Sequence, residues 1–150
     1  GRGRLRSRTE RTMQPAPKPD NELQRLAALQ DYEILDTPPE PAFDRITRLL
    51  ALLLDMPVAL VSLIDADRQW FKSQVGIAIT ETPRDLAICS YTILGDGLLV
   101  VEDTRLDQRF HDHPMVSERP GLRFSLEPRR GKRGANCHGH QHDGDPDGAA

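Results

Sequence analysis

The chain changes its hydrophobic period once, abruptly, at Pro57. Before it, from about Pro39 to Asp55, the residues Phe43, Ile46, Leu49, Leu50 and Leu53 recur at the spacing of one helix face, with Asp44, Arg45 and Arg48 polar between them. Leu52 and Leu54 widen that stripe almost to the whole circumference. A helix apolar on more than one face touches two partners, here a sheet on one side and another helix or subunit on the other. After Pro57, Val58-Ala-Leu-Val-Ser-Leu-Ile64 is an unbroken run of strand formers. Asp65-Ala-Asp67 is a turn, and Gln69 to Val75 reads as the returning arm of a hairpin. Its alternation puts Trp70, Lys72 and Gln74 on one face and Phe71, Ser73 and Val75 on the other.

Around this block the signals are shorter. Asp20 or Asn21 can cap a helix through Glu-Leu-Gln-Arg-Leu-Ala-Ala-Leu-Gln30, and Asp36-Thr-Pro-Pro39 then breaks the chain. After a loop at Thr80 to Pro83, Leu86, Ser90 and Leu94 suggest a short helix closed by Gly95-Asp-Gly97. Leu98 to Val101 is a third strand, Thr104 to His111 a polar turn, and Gly121 to Phe124 the start of a fourth strand.

The two ends have a different character. Residues 1–20 carry Arg2, Arg4, Arg6, Arg8, Arg11 and Lys18 against Glu10 and Asp20, a net of +4, followed by Pro15, Pro17 and Pro19. With so little to bury, this stretch reads as a disordered basic leader rather than a nucleic-acid arm, because no aromatics interleave its arginines. From Asn21 to Phe124 there are 10 basic and 17 acidic residues, a net of −7, which argues against a nucleic-acid surface. The longest apolar run, Leu49 to Leu54, is far short of the ~20 residues that span a bilayer, so no membrane contact is expected. Cys89 and Cys137 are too far apart and too few for a secreted disulfide scaffold, and a cytoplasmic protein is expected.

Several fragments together carry a resemblance. Asn21-Glu-Leu-Gln-Arg-Leu-Ala-Ala-Leu29, Tyr32-Glu-Ile-Leu-Asp-Thr-Pro-Pro-Glu40, Phe43-Asp-Arg-Ile-Thr-Arg-Leu49, Pro57 to Asp65, Arg68-Gln-Trp-Phe-Lys-Ser73, Glu81-Thr-Pro-Arg84 and Val101-Glu-Asp-Thr104 stand in unbroken order. This order resembles bacterial GAF domains, the sensor modules found ahead of histidine-kinase, diguanylate-cyclase or phosphodiesterase domains. The resemblance implies an α+β fold, an antiparallel sheet flanked by helices, and a pocket between the sheet and its cover. It covers residues 21–124 as a partial GAF-like sensor domain, incomplete at the C-terminus. Such domains continue with Gly-Ala-Pro and a closing apolar strand, whereas Ser125 to Ala150 offers Leu126 as its one large aliphatic residue and no aromatic. Residues 125–150 are therefore expected to be a disordered tail. The abrupt change to Arg, Gly, Pro, His and Asp suggests an out-of-frame reading, and codons for Phe124 to Arg129 exist that spell Leu-Ala-Gly-Ala-Pro in a shifted frame. Strands left beside an empty place in the sheet should make the fold weakly stable, or open to pairing with a second copy.

The candidate ligand-pocket residues are Trp70, Phe71, Cys89, Tyr91 and Phe110, aromatic or small apolar groups suited to cover a small ligand. No catalytic residue is expected: Asp65, Asp67, Asp103 and Asp107 fall at turns, where Asp caps the backbone. No metal site is expected either. His111-Asp-His113 reads as an exposed turn, and Cys137, His138, His140, His142 and Asp143 have no spacing that sets a coordination geometry. No pattern identifies a cofactor, and Cys89 is not placed as in bilin-binding relatives. Cys89 reads as a buried small hydrophobe, with a redox-sensing thiol as its functional alternative. The expected function is a non-catalytic signalling sensor that binds a small ligand or forms a homodimer. The alternatives are a free methionine sulfoxide reductase-like enzyme, which needs two converging thiols, and a truncated fragment without function.

Overall fold

The computed structural model describes residues 14–96, 98–117, 122–128 and 135–141. Two helices, α1 (Glu22–Asp31) and α2 (Pro41–Leu53), precede the hairpin of β1 (Val58–Ile64) and β2 (Arg68–Val75). A short β3 (Glu81–Pro83) leads into two 3₁₀ segments, Arg84–Leu86 and Ile88–Leu94. Then come β4 (Leu98–Val101), a single-turn α3 (Pro114–Ser117), β5 (Leu122–Pro128) and β6 (Ala135–Gln141). The strands form one antiparallel sheet in the order β3-β2-β1-β6-β5-β4.

Each helix begins where the sequence lets it. Asn21 stands at the cap position of α1 without a side-chain bond to the first turn, and the Glu22 N–H instead donates to Pro19 O at 3.0 Å. Pro41 opens α2, where its missing N–H has no partner to lose. Between them Glu33 and Asp36 adopt left-handed φ of 47° and 58°, a conformation non-glycine residues hold only when their surroundings fix it. The Asp36 carboxylate is held by Arg68 from β2, at 2.7 and 2.9 Å. At the far end of the hairpin Gly76 has φ +81°, and a Cβ there would collide with the Pro57 carbonyl oxygen.

β1 is buried along all seven residues, because both faces of the sheet are covered here. Val58, Leu60 and Ile64 pack with Phe71, Ala87 and Cys89 under the 3₁₀ segments, on what we call the inner face. On the outer face Leu63 and Trp70 pack against Leu29 of α1, with Ile34 and Leu35 beside them. The register shifts between Val61 and Ser62, so that Val61 opposes Ser73 while Ser62 opposes Phe71. This bulge breaks the alternation read from the sequence. Lys72 and Ser73 both turn to the outer face, where Ser73 Oγ lies 2.8 Å from Thr47 Oγ1 of α2 and Lys72 meets the 37–40 segment.

Two further expectations change. The helix expected over Leu86 to Leu94 is 3₁₀, interrupted where Ala87 turns extended at φ −88°, ψ 109°, since Ile88, Thr92 and Ile93 are β-branched and Ser90 bonds back to the Arg84 carbonyl. Beyond Phe124, where the sequence shows no strand pattern, the backbone runs on as β5 and β6. β6 occupies the central place beside β1 that was expected to be empty, paired from Val58↔Gly139 to Ser62↔Ala135. Residues 1–13 of the expected leader, and residues 129–134 and 142–150 of the expected tail, lie outside the described residues.

Candidate functional site

The inner face carries a polar group in an apolar wall. Gln69 at the start of β2 donates from Nε2 to Ser62 Oγ and to Cys89 Sγ, both at 2.9 Å, and Thr82 Oγ1 lies 3.5 Å from Gln69 Oε1. Ser62, Gln69 and Cys89 are all buried, so their polar atoms find partners within the protein rather than in water. Cys89 is disulfide-bonded. That corrects the expectation of a free buried thiol without a disulfide role.

Tyr91 and Phe110 belong to a second cluster with Ile88, Leu99, Val101 and Val116. Their rings meet edge to face, centroids 5.2 Å apart at 88°. The Arg109 guanidinium lies 4.7 Å from the Phe110 centroid and 5.6 Å from that of Tyr91, held by Asp107 at 2.5 Å. The Arg109 hydrogen bonds keep the Asp107 carboxyl below the usual range, and burial pushes the Tyr91 phenol up. Asp65, Asp103 and Asp107 accept the backbone N–H of Ala66, Arg105 and Arg109, the capping role expected of aspartates at turns.

His113 is buried, not at an exposed turn. Its Nδ1 accepts the Met115 N–H at 2.9 Å, which leaves Nε2 as the proton-bearing nitrogen, 2.6 Å from the Leu86 carbonyl. Burial lowers its pKa, so both nitrogens of a neutral ring are spent on backbone. Among the described residues no His, Cys, Asp and Glu group could hold a metal ion. Cys137, His138 and His140 fall on β6, while His142 and Asp143 lie outside the described residues.

Trp70 stands apart from the other candidates, on the outer face with Leu29 and Leu63. The five pocket candidates are thus divided among three clusters: Phe71 with Cys89, Tyr91 with Phe110, and Trp70 alone. Hydrophobicity marked each as buried but not which face it took, since one bulge and one irregular segment decide that.

The residues that sequence reasoning missed are cations. Lys72, with a side chain 0% exposed, reaches Glu40 at 2.5 Å, Thr37 Oγ1 at 2.6 Å and the Pro38 carbonyl at 2.8 Å, so its three protons fasten the strap ahead of α2. Arg68 holds Asp36, Glu81 and Asp65. Arg84, nearly buried, pairs with Glu22 and donates to the carbonyls of Asp65 at 3.0 Å and Ala66 at 3.2 Å. Glu22 also takes two bonds from Arg25, whose guanidinium donates to the Ile64 carbonyl as well. Burial opposes charge on Glu22, but the Arg84 and Arg25 bonds outweigh it and bring its pKa down to about 2. All these cations lie inside the fragments that carried the family resemblance, and for Arg68 and Lys72 a charge at a strand position was the available signal.

α2 presents the opposite chemistry. Thr47 is its one buried residue, and the expected stripe divides: Phe43, beside Lys72, and Leu50 are half-buried, while Leu49 is 58% exposed, Leu53 71% and Leu52 80%, with Ile46 and Leu54 exposed beside them. Thr47 takes the sheet side because its hydroxyl meets Ser73 Oγ there, which in turn donates to the Asp44 carboxylate. No described helix is long and apolar enough to cross a membrane.

A model of the GAF domain family matches residues 38–127, from the strap ahead of α2 into β5. The chain belongs to the GAF domain family. A crystal structure of the GAF domain from an Acinetobacter phosphoenolpyruvate-protein phosphotransferase superposes with a TM-score of 0.54 at 15% identity, covering 81% of this chain and 80% of that one. At that identity the likeness is one of fold. This GAF chain is also 37% identical over 112 residues to a cyclic di-GMP phosphodiesterase of Pseudomonas aeruginosa. The match takes in 75% of the chain but 19% of the relative, so the chain spans about a fifth of that protein's length.

Proposed function

We propose that this GAF domain is a non-catalytic sensor and interaction module of bacterial signal transduction that self-associates through the outward face of α2. The observation that carries the reading is the row of Leu49, Leu52 and Leu53, exposed on a helix whose other side is fixed to the sheet. Monomeric proteins rarely leave so many large apolar side chains together in water. A second copy is the occupant that fits. The row lies on a single helix, so a twofold axis lays it on itself, and Asp44 and Asp55 stand near it with Arg45 and Arg48, giving no excess of one charge to select a different partner. The cyclic di-GMP phosphodiesterase relative supports a signalling context. The absence of catalysis is inferred from Asp65, Asp103 and Asp107, whose carboxylates are occupied with turns and arginines.

Sedimentation equilibrium on the whole chain tests this. A dimer that becomes a monomer in the Leu49→Glu, Leu53→Glu variant, with an unchanged far-ultraviolet spectrum, is the expected result. A wild-type monomer at every concentration contradicts the reading. One observation favours the enzymatic alternative: Cys89 is disulfide-bonded, so a second sulfur converges on it as that reading requires. No reduction of free methionine sulfoxide by the dithiothreitol-treated chain is expected, and turnover that vanishes in Cys89→Ser would establish the enzyme instead.

A further inference from the structure

The sheet has two edges, and they are finished differently. β3 closes one of them with three residues, where Pro83 has no N–H to offer a further strand and Glu81 carries a charge held by Arg68. β4 at the other edge is Leu98-Leu-Val-Val101, with no charge, proline or glycine in it. β5 pairs with it on one side, and no described strand or loop backbone bonds it on the other. Alternate residues of an antiparallel strand turn N–H and C=O to the same side, so two of these four present both groups to the open side. Leu99 and Val101 are buried in the cluster around Phe110, while Val100 lies on the opposite face and is 45% exposed.

We infer that β4 is a docking edge for an extended segment of another protein, with β-branched residues in its middle and a basic residue at each end. The charges around the edge select that occupant. Asp96 stands two residues before β4 and Glu102 directly follows it, both exposed. A second copy fits poorly. Antiparallel self-pairing about an axis between Leu99 and Val100 sets Gly97 against Glu102, so Asp96 of each copy lies one residue from Glu102 of the other, acid beside acid at both ends. A segment with basic ends meets the same two positions with opposite charge. Asp96 also lines an open cleft of about 820 Å³ with Ile93, Leu94, Pro17 and Pro19, which leaves room for the C-terminal end of a segment running antiparallel to β4. α2 packs on β1 and β2 in the other half of the sheet, so this edge lies outside the surface assigned to self-association.

Two capped peptides test this on the full chain: Lys-Thr-Val-Thr-Val-Lys, and the same sequence with Glu at both ends. The Lys-ended peptide is expected to bind, and the Glu-ended one about tenfold more weakly or worse. Bound peptide should slow the exchange of alternate amides over residues 98–101 and leave β2 and β3 at their own rates. Asp96→Lys with Glu102→Lys, both at exposed positions, should invert the order of the two peptides, a result that loss of folding does not give. No binding of either peptide, equal binding of both, or protection that misses β4 would overturn the inference. So would β4 amides that slow with chain concentration alone, which would give the edge to a second copy.

Discussion

β1 and β6 are neighbours in one sheet, paired in register from Val58↔Gly139 to Ser62↔Ala135, and their sequences have almost nothing in common. β1 is Val-Ala-Leu-Val-Ser-Leu-Ile, buried throughout, while β6 is Ala-Asn-Cys-His-Gly-His-Gln, poor in strand formers and carrying a glycine at its fifth position. The difference separates two reasons for being a strand. β1 is driven by its own side chains, which fill the inner and outer cores. β6 is driven by its neighbours, because β1 and β5 each offer a row of N–H and C=O groups that a paired backbone satisfies. The β1–β2 hairpin should therefore hold most of the stability and the β5–β6 pair little of its own.

Substitutions rank that difference. Phe71→Ala in the inner core should cost about 3–5 kcal/mol in urea unfolding, as expected for a large buried ring; a cost under 1 kcal/mol would mean the hairpin is not the anchor. Acid should act next, through Glu22. Its folded pKa is depressed from 4.5 to about 2, so its contribution is full above pH 4.5 and is lost as pH falls toward 2. The loss is about 3 kcal/mol, and unfolding midpoints measured from pH 6 to pH 2 should show the drop in wild type and a flatter profile in Glu22→Gln. Gly76→Ala, which places a Cβ against Pro57 at φ +81°, should cost about 2 kcal/mol by the same assay. The smallest effect should come from β6: His138→Val replaces a weak strand former with a strong one and should stabilise by about 0.5 kcal/mol. A loss of several kcal/mol at His138 would show that β6 is specified by its side chains after all.

Much of the fold was legible because period and punctuation agreed. The stripe before Pro57, the apolar run after it and the Asp65 turn located α2, β1 and β2 to within a residue or two at most ends. That α2 is apolar on two faces was legible, but which of its residues take the sheet side was not, because Thr47 scores as polar and only its contact with Ser73 reveals which face is buried. The bulge at Val61/Ser62 leaves no mark in an alternating pattern, so Lys72 and Ser73 were placed on opposite faces. The candidate site suffered most. Trp70, Phe71, Cys89, Tyr91 and Phe110 were recognisable as core, but their division among three clusters depends on that bulge and on the irregular cover. β6 could not be read at all, since the information that makes it a strand lies in the strands beside it.

The filled place beside β1 is what separates a GAF domain with a closed sheet from a fragment with an open one. Residue-resolved amide hydrogen exchange on β1 tests it directly. In an antiparallel sheet the amides of a central strand point by turns to one neighbour and the other, here β2 and β6. The account predicts that β1 amides facing β6 exchange as slowly as those facing β2. Fast exchange confined to the amides that face β6 would contradict it and leave the place beside β1 open.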